Sequence, residues 1–411
     1  VWYGNGSIAQ NLVVKGDVNV CITCALGVYS TATNQTMSIG GSLINNGSGA
    51  TGTLVGVDLT NVPVTFDGNS SASITNTAGT PITKFGLVTV NKGSSQATTL
   101  NLNIGGTLTI LTNNWLTLQN GTFQYQRVNP TADFTISTTT NLSIPSTSGL
   151  FINYSNSNNR NVLIANNGAD ASDLLLSGKL TVVSGNVYVG PVAATAFNND
   201  IEYSGNSAAI QVDGGSLFVN GQIRRATTSI NGSLTYTQNG GAVSIIGNSS
   251  AGGLATALTR AKLEVTNSGS QFNMSAGTLT IARGGGTMFG DLFLRPSSSV
   301  VTGGTIILTN VAPNAAQNYQ VDANIPLYNL TVTGAAGTNA TVALMTNPLT
   351  LKGTLTLTNS RSIFNANNRN VTINQNLVNN GTAASYVFGT NLTTFSGATQ
   401  NLSGTSVTNF Y

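Results

Sequence analysis

The sequence contains no histidine and few charges. Only 7% of its 411 residues are Asp, Glu, Lys or Arg, against roughly 25% in an average globular protein. The net charge is +3, with no run of basic residues, so the clustered lysines and arginines that nucleic-acid binding requires are missing. Hydrophobic residues nevertheless make up 40% of the chain, which is enough to build a core and excludes a disordered protein.

Cysteine occurs only at Cys21 and Cys24. A structural zinc site needs about four ligands, and no histidine or further cysteine can complete one here. A thioredoxin-like motif would need a βαβ context, which the sequence lacks. We therefore expect either a local disulfide between Cys21 and Cys24 or two small strand residues.

Long apolar runs and proline-rich linkers are also missing. No run reaches the roughly 18 apolar residues of a membrane-spanning helix, and no signal peptide opens the sequence. The nine prolines are scattered singly. The sequence starts at Val1 without methionine and stops at Tyr411 inside a recognisable motif. We expect residues 1–411 to be one continuous segment and a fragment of a longer repetitive chain.

Short stretches of alternating apolar and polar residues fill most of the sequence and end at Asn-Gly, Gly-Gly or Gly-Ser. Such alternation predicts strands, because residues two apart in a strand point to the same face. Helical spacing is nowhere sustained between caps. The best helix candidate, 251–262, is short, so we expect almost no helix.

Several stretches consist of two short strands in the same hydrophobic phase, joined by a glycine on the inward side. In the clearest of them Leu102, Ile104, Gly106, Leu108 and Ile110 share one face. A glycine at this joint lets the chain bend, or lets another backbone approach closely. The structural glycines predicted on this basis are Gly16, Gly106, Gly178, Gly232, Gly290 and Gly353.

Longer repeats contain this pattern. MSIGGSLINNG from Met37 and VTINQNLVNNG from Val371 match in hydrophobic phase, and both end in Asn-Asn-Gly. VTFDG from Val64 likewise resembles TTFSG from Thr393. The repeats are clearest over 37–125 and 320–411. They indicate an imperfect tandem array in which the matching stretches are equivalent rungs.

A short strand pair buries its apolar face only when similar pairs stack above and below it. We therefore predict an all-β fold, a right-handed parallel β-solenoid (β-helix) rod of stacked imperfect repeats with Asn and Thr side-chain ladders. At roughly 20 to 25 residues a turn, the chain would form about 17 to 20 turns. Tandem β-sandwich domains are the alternative.

Close acidic groups occur at Asp170 with Asp173 and at Asp200 with Glu202, the second pair spaced to share a strand face. Enzymes built on β-helices use clustered carboxylates. No acidic pair recurs on neighbouring repeats here, so we predict solvated loop carboxylates and no enzyme. No cofactor is expected, but these four residues are calcium candidates because carboxylate oxygens suit that ion.

Two further groups have alternative interpretations. Arg224 and Arg225 are adjacent, so a strand would point them to opposite faces. One would cap a turn or pair with Asp213, and contact with an anionic glycan is the alternative. The aromatic residues of 115–125 would fill the core, or else stack on sugar rings; they are Trp115, Phe123 and Tyr125.

Four segments carry a resemblance to a known family. They are TTFSGATQNLSGTSVTNFY at the C-terminus, PLYNLTV from Pro326, PLTLKGTLTLTNS from Pro348 and NVTINQNLVNNGT from Asn370. They resemble the repetitive cell-surface adhesins of Bacteroidota, the SprB-type gliding-motility family, over about 320–411 and 37–125. The resemblance implies type IX secretion and display as a long filament. The family's C-terminal sorting domain is not visible in the sequence, and the family has no catalytic residues.

These features together predict a structural and adhesive segment of a long extracellular filament, the stalk of a giant cell-surface adhesin for gliding motility or attachment. Its partners would be further repeats of its own chain or identical chains, the secretion and motility machinery of the outer membrane, and surface polysaccharides, with no nucleic acid. The alternatives are a subunit of a self-assembling extracellular filament and a carbohydrate-binding or carbohydrate-cleaving β-helix.

Overall fold

The computed structural model describes residues 2–3, 8–28, 34–47, 56–76, 81–168, 172–192, 199–226, 232–247, 261–282, 291–310 and 317–410. Within these ranges every regular element is a β-strand, and parallel strands stack as a β-solenoid of about 13 turns. The predicted all-β solenoid is confirmed, and its right hand stays a prediction. Parallel pairing rules out the β-sandwich alternative, whose sheets are antiparallel. The helix candidate lies outside the described residues, except for its last two, which are not helical.

The strands are, in chain order, β1 Trp2–Tyr3, β2 Gln10–Val14, β3 Val18–Val20, β4 Ala25–Val28, β5 Gln35–Ile39, β6 Leu43–Asn45, β7 Gly56–Leu59, β8 Val64–Phe66, β9 Ala72–Thr75, β10 Ile82–Phe85, β11 Val88–Asn91, β12 Thr99–Asn103, β13 Thr107–Ile110, β14 Leu116–Tyr125, β15 Phe134–Thr135, β16 Leu142–Ile144, β17 Ser148–Asn153, β18 Asn161–Ile164, β19 Leu174–Leu176, β20 Lys179–Ser184 and β21 Asn186–Val189. They continue with β22 Ile201–Tyr203, β23 Ala208–Val212, β24 Ser216–Val219, β25 Ile223–Arg225, β26 Leu234–Gln238, β27 Ala242–Ile245, β28 Leu263–Met274, β29 Thr278–Ile281, β30 Leu292–Val301, β31 Thr305–Thr309, β32 Gln317–Ala323, β33 Asn329–Thr333, β34 Ala340–Leu344, β35 Leu349–Leu351, β36 Leu355–Leu357, β37 Ser362–Asn365, β38 Val371–Ile373, β39 Leu377–Asn379, β40 Tyr386–Val387, β41 Thr393–Phe395 and β42 Leu402–Ser403.

The chain divides into two compact units. Unit 1 comprises Val1–Asn167 and Leu176–Val187, and unit 2 comprises Gly168–Leu175 and Tyr188–Tyr411. In unit 1 the strands β5, β6 and β7 of one turn pair with β8, β9 and β10 of the next. In unit 2 the strands β34, β35 and β36 pair in the same way with β37, β38 and β39. The predicted single continuous segment stays a prediction.

The length of a turn varies more than the sequence pattern suggested. Val342 lies opposite Phe364 in the next turn, whereas Tyr236 lies opposite Phe272. Because turns longer than those assumed leave room for fewer of them, the chain forms about 13 turns rather than the 17 to 20 expected. Additional residues between two strands, as between β27 and β28, lengthen a turn at little cost in loop-closure entropy.

The core is built by stacking the same face of successive strands. In β5 the side chains of Gln35, Met37 and Ile39 are buried, and those between them are exposed or half-buried. Met37 and Ile39 lie opposite Val64 and Phe66 of the next turn, and all four are at most 1% exposed. Since burying one such side chain contributes about 1.5–3 kcal/mol, each turn is held chiefly by the turns beside it.

The Asn-Asn-Gly motif builds the same corner in both units. The Oδ1 atom of Asn45 accepts a hydrogen bond from the Gly47 amide (3.1 Å), and that of Asn379 accepts one from Gly381 (3.0 Å). Both buried amide groups also donate to a main-chain carbonyl and a threonine hydroxyl further along the chain. The two matching stretches are therefore equivalent rungs, as predicted.

Backbones approach closely at several of the predicted glycines. A Cβ atom at Gly106 would lie 2.3 Å from the carbonyl oxygen of Pro81, and one at Gly178 would lie 2.2 Å from the oxygens of Pro145 and Ser148. Such distances exclude any larger residue unless the backbone moves.

The other predicted glycines differ from one another. A Cβ atom at Gly353 would lie 2.2 Å from the Oδ1 atom of Asn329. Gly232 has a φ of +98°, which disfavours other residues. A Cβ atom at Gly16 would have nothing within 4 Å, so close approach does not explain this glycine, and the bend predicted as the alternative stays a prediction. Gly290 lies outside the described residues.

Candidate functional site

The predicted carboxylates Asp200 and Glu202 lie in unit 2, at the start of β22. Arg224 occupies the register position opposite Glu202 on β25, one turn further along. Its Nε atom lies 2.5 Å from Asp200 Oδ2, and its Nη2 atom lies 2.5 Å from Glu202 Oε1. The alternate spacing thus places both carboxylates on one face, as predicted, where a single guanidinium joins them.

Asp173 extends this group by hydrogen bonds to the backbone. Its Oδ1 atom accepts from the Asp200 amide (2.7 Å), and Asp200 Oδ1 accepts from the Gln222 amide (2.6 Å). Burial raises the pKa of Asp173 to about 6; the Asp200 backbone hydrogen bond opposes this, and the charges of Asp200 and Glu202 add to it. The pKa of Arg224 is raised because its carboxylate neighbours outweigh burial, which favours the neutral form.

A second buried ion pair lies beside the first. Arg225 Nε lies 3.2 Å from Glu264 Oε2, and the exposed fractions of the two side chains are 4% and 0%. The Glu264 oxygens also accept from the amides of Arg225 (3.2 Å) and Ala261 (3.1 Å).

Two sequence predictions about these charges are wrong. Asp200 and Glu202 were expected in solvent, yet their side chains are only 4% and 17% exposed. Arg224 and Arg225 are both buried, and neither bonds Asp213. Asp213 instead accepts hydrogen bonds from the side chains of Gln211 (2.6 Å) and Asn239 (2.7 Å). These charges can be buried because each is paired with an opposite charge, Arg224 with Asp200 and Glu202 and Arg225 with Glu264. The role of Glu264 was missed, since its partner is far away in sequence.

Three of the four calcium candidates already form ion pairs or hydrogen bonds within the protein. Asp200 and Glu202 are held by a guanidinium, and Asp173 accepts from the backbone. Across the described ranges, no group of three or more His, Cys, Asp or Glu side chains could hold a metal ion. Asp170 lies outside those ranges.

The two cysteines form a disulfide at a corner of unit 1. Cys21 and Cys24 have Cα atoms 5.0 Å apart, within the usual range of about 4.4–6.8 Å. The Cys24 amide also donates to the Cys21 carbonyl at 2.9 Å. Of the two interpretations of this pair, the structure has the disulfide between β3 and β4.

The aromatic residues of 115–125 lie in the core of unit 1. Trp115 is 2% exposed, and Phe123 and Tyr125 are fully buried. Phe134 stacks on Tyr125 with 4.2 Å between ring centroids and meets Trp115 edge-on at 5.6 Å. These rings fill the core and are not available to stack on sugars.

A cleft of about 660 Å³ opens in unit 1 between β13 and β15. We call it the β13 cleft. Its walls include Leu108 and Ile110 of β13, Phe134 of β15, and the side chains of Arg127 and Asp133. Leu108 and Ile110 occupy inward positions yet are only half-buried, because no strand of the next turn covers them.

The loop 127–133 (RVNPTAD) explains why the cleft exists. The next rung is due at this point, but the segment breaks the apolar alternation and contains Pro130, which has no amide hydrogen to donate. Asn129 adopts a φ of +44°, a left-handed conformation that an extended strand does not contain. This local break was the signal in the sequence that could have indicated the cleft.

Polar side chains close the two ends of the β13 cleft. Arg127 donates from Nε to the Ile104 carbonyl (3.0 Å) and from Nη2 to the Gly106 carbonyl (2.8 Å). At the other end Asn114 Oδ1 accepts from the Thr138 amide at 2.8 Å. The remaining charged wall residue, Asp133, accepts from the Asn161 amide at 3.0 Å. The charged groups of the cleft are therefore already engaged.

Comparisons with models of protein families, with curated proteins and with solved structures find no match. They leave the resemblance to SprB-type adhesins untested. The described residues contain no helix that is long and apolar enough to cross a membrane.

Proposed function

We propose that this chain is a structural and adhesive segment of a long extracellular surface filament, the stalk of a giant cell-surface adhesin. The observation that carries the proposal is the in-register stacking of turns. In unit 2, Leu330, Leu355, Leu377 and Leu402 lie opposite one another on successive turns. A fold of this kind grows in length by adding turns and needs no closed active site.

The chemistry of the strand faces supports the same role. Threonine and asparagine occupy many outward positions, and Asn120 donates to Asn91 of the preceding turn at 2.7 Å. Lys84 and Asp58, which lie opposite each other on neighbouring turns, are opposite in sign and 3.1 Å apart. This arrangement avoids the repulsion of like charges that lie opposite each other in a sheet.

The extracellular location is part of the proposal and is supported by the Cys21–Cys24 disulfide, because disulfides persist in oxidising compartments. Export by type IX secretion, membership of Bacteroidota, a role in gliding motility or attachment, and contact with the outer-membrane machinery or with surface polysaccharides rest on the resemblance alone.

A self-assembling filament is the second candidate, and the exposed side chains of the last described turn fit either candidate. Leu392, Leu402, Val407 and Phe410 are between 39% and 70% exposed. A further turn laid on this face would bury them. That turn could belong to the same chain or to an identical one, and end-to-end pairing of exposed strands is a known route to assembly.

Negative-stain imaging of the native material, paired with the mass of the intact polypeptide, separates the two candidates. The adhesin proposal expects a thin fibre made of one polypeptide far heavier than 42.1 kDa. Regularly spaced subunits of about this mass would overturn it in favour of the self-assembling filament. Antibodies raised against this segment should decorate the surface of intact cells, and labelling only after lysis would contradict the location.

A further inference from the structure

The strand β13 has a free edge. Within the described part of the chain it pairs with β10 alone and ends the sheet β1-β4-β7-β10-β13. The corresponding strand of the next turn is β15, which pairs with β18 and not with β13. The parallel ladder is therefore interrupted between these two turns, at the β13 cleft.

The backbone groups that face the cleft follow from the register. The Leu111 amide donates to the Phe85 carbonyl at 3.1 Å, so Thr109 and Leu111 direct their backbone groups toward β10. Because successive residues of a strand direct these groups to opposite edges, Leu108 and Ile110 present their N–H and C=O groups to the cleft.

The opposite wall offers a second, shorter edge. The Ile136 amide donates to the Leu163 carbonyl at 2.8 Å, so Thr135 faces away from β18 and toward the cleft. Its carbonyl accepts from Trp115 Nε1 at 2.9 Å. The Thr135 amide is left pointing toward the same space as the edge of β13.

The two ends of the cleft define the length of what can bind. Arg127 already bonds the carbonyls of Ile104 and Gly106, where a next strand would otherwise donate. Asn114 closes the other end through Thr138. Between them lies β13 with its 4 residues, so the free edge matches a segment of about that length.

We propose that the β13 cleft binds an extended, uncharged peptide segment with apolar residues at alternate positions, which adds as a strand along β13. Its backbone pairs with Leu108 and Ile110, and its inward side chains cover the half-buried Leu108, Ile110 and the nearby Phe134. Strand addition to a free edge is an established mode of peptide recognition. The charged residues of the cleft wall are one cation, Arg127, and one anion, Asp133, so the wall carries no net charge that would select a charged ligand.

The inference does not depend on the filament role. Its probe is the capped peptide acetyl-GTLTLTN-amide, which copies residues 353–359 and has the required alternation. Trp115 packs edge-on against Phe134 of the cleft wall, with 5.6 Å between ring centroids, and it is one of two tryptophans in the chain, so a Trp2→Phe variant isolates its fluorescence. Titration of the full chain is expected to give a saturable change in the Trp115 emission.

N-methylated peptides test whether backbone pairing carries the binding. Each lost hydrogen bond weakens binding by between about two- and tenfold, and the methyl group also blocks close approach. Methylation of the alternate peptide residues whose amides face β13 should therefore weaken binding at least about tenfold. Methylation of the residues between them should weaken it far less. Equal effects at both parities would overturn strand addition.

Leu108→Glu and Thr109→Glu are the matched variants on the protein side. An inward charge at position 108 should weaken binding at least about tenfold, whereas a charge on the outward face at position 109 should leave it within about twofold. If Leu108→Glu does not fold, the methylated peptides still decide. No saturation at millimolar peptide, or displacement by cellohexaose, would overturn the proposal, the second outcome in favour of a saccharide site.

Discussion

Replacing Arg224 by methionine would remove the cation that two buried carboxylates share. Its guanidinium lies 2.5 Å from both Asp200 and Glu202, and the three side chains are 8%, 4% and 17% exposed. Methionine keeps much of the apolar stem but leaves Asp200 and Glu202 without compensation. We expect Arg224→Met to lower the free energy of unfolding by about 3–5 kcal/mol, the usual cost of breaking a buried ion pair by removing one partner.

The exposed pair Lys84–Asp58 supplies the matched control. The atoms are 3.1 Å apart, but the side chains are 30% and 22% exposed. Water screens such a pair, so Lys84→Met should change the free energy of unfolding by only about 0–1 kcal/mol. Comparing the two methionine variants therefore separates the effect of burial from the effect of losing a positive charge.

Urea unfolding at pH 7, followed by circular dichroism, measures both variants. Because a solenoid can open locally, amide hydrogen exchange over 199–226 should accompany it and show the loss near Arg224. Adding Asp200→Asn and Glu202→Gln to Arg224→Met removes the uncompensated charges and should restore most of the stability. If Arg224→Met costs no more than Lys84→Met, or if the triple variant is no better, the buried ion pair does not stabilise this unit.

Three further predictions concern other parts of the chain. Gly178→Ala should destabilise by about 1–3 kcal/mol because the new Cβ atom would lie 2.2 Å from the Pro145 carbonyl, whereas Gly16→Ala should stay within about 0.5 kcal/mol; urea midpoints compare the two. Tyr154→Phe should cost about 1–3 kcal/mol, because its buried hydroxyl accepts from a backbone amide (2.9 Å) and donates to a backbone carbonyl (2.6 Å). Asp173 has a folded pKa raised from 3.8 to about 6. It contributes stability below pH 4 that is lost as the pH rises through about 6; the loss is smaller than the ~3 kcal/mol of the full shift because the side chain is partly exposed.

A specific result would contradict each of these three predictions. Equal midpoints for Gly178→Ala and Gly16→Ala would mean that the close approach at Gly178 is relieved without strain. A neutral Tyr154→Phe would mean that water replaces its hydroxyl. For the pH dependence, the wild type is compared with Asp173→Asn by urea unfolding at pH 4 and pH 7. The difference between the two proteins must change with pH, and a constant difference would contradict the raised pKa.

Much of the fold could be predicted because its signals are local. Alternation as in Met37 and Ile39 specifies which face of a strand is apolar, whatever lies next to it. The Asn-Asn-Gly corner at Asn45 is also a local device, since Asn45 bonds the amide of Gly47. Stacking then follows, because short strands of this kind cannot bury an apolar face alone.

The partners of charged residues could not be predicted in the same way. Arg225 and Glu264 are brought together by the register between turns, and that register depends on how many residues are inserted at the corners between them. The sequence pattern shows the rungs but not which rung covers which. For the same reason the expected turn number was too high and the expected exposure of Asp200 was wrong.

The sequence by itself determined an all-β chain of stacked strands with glycine and asparagine at its corners, because a period of two residues is a property of the strand alone. Only the tertiary structure decided which charges are buried together and where the ladder is interrupted. Both depend on distances between turns, as at the β13 cleft, where Leu108 and Ile110 keep their inward positions but receive no strand from the next turn.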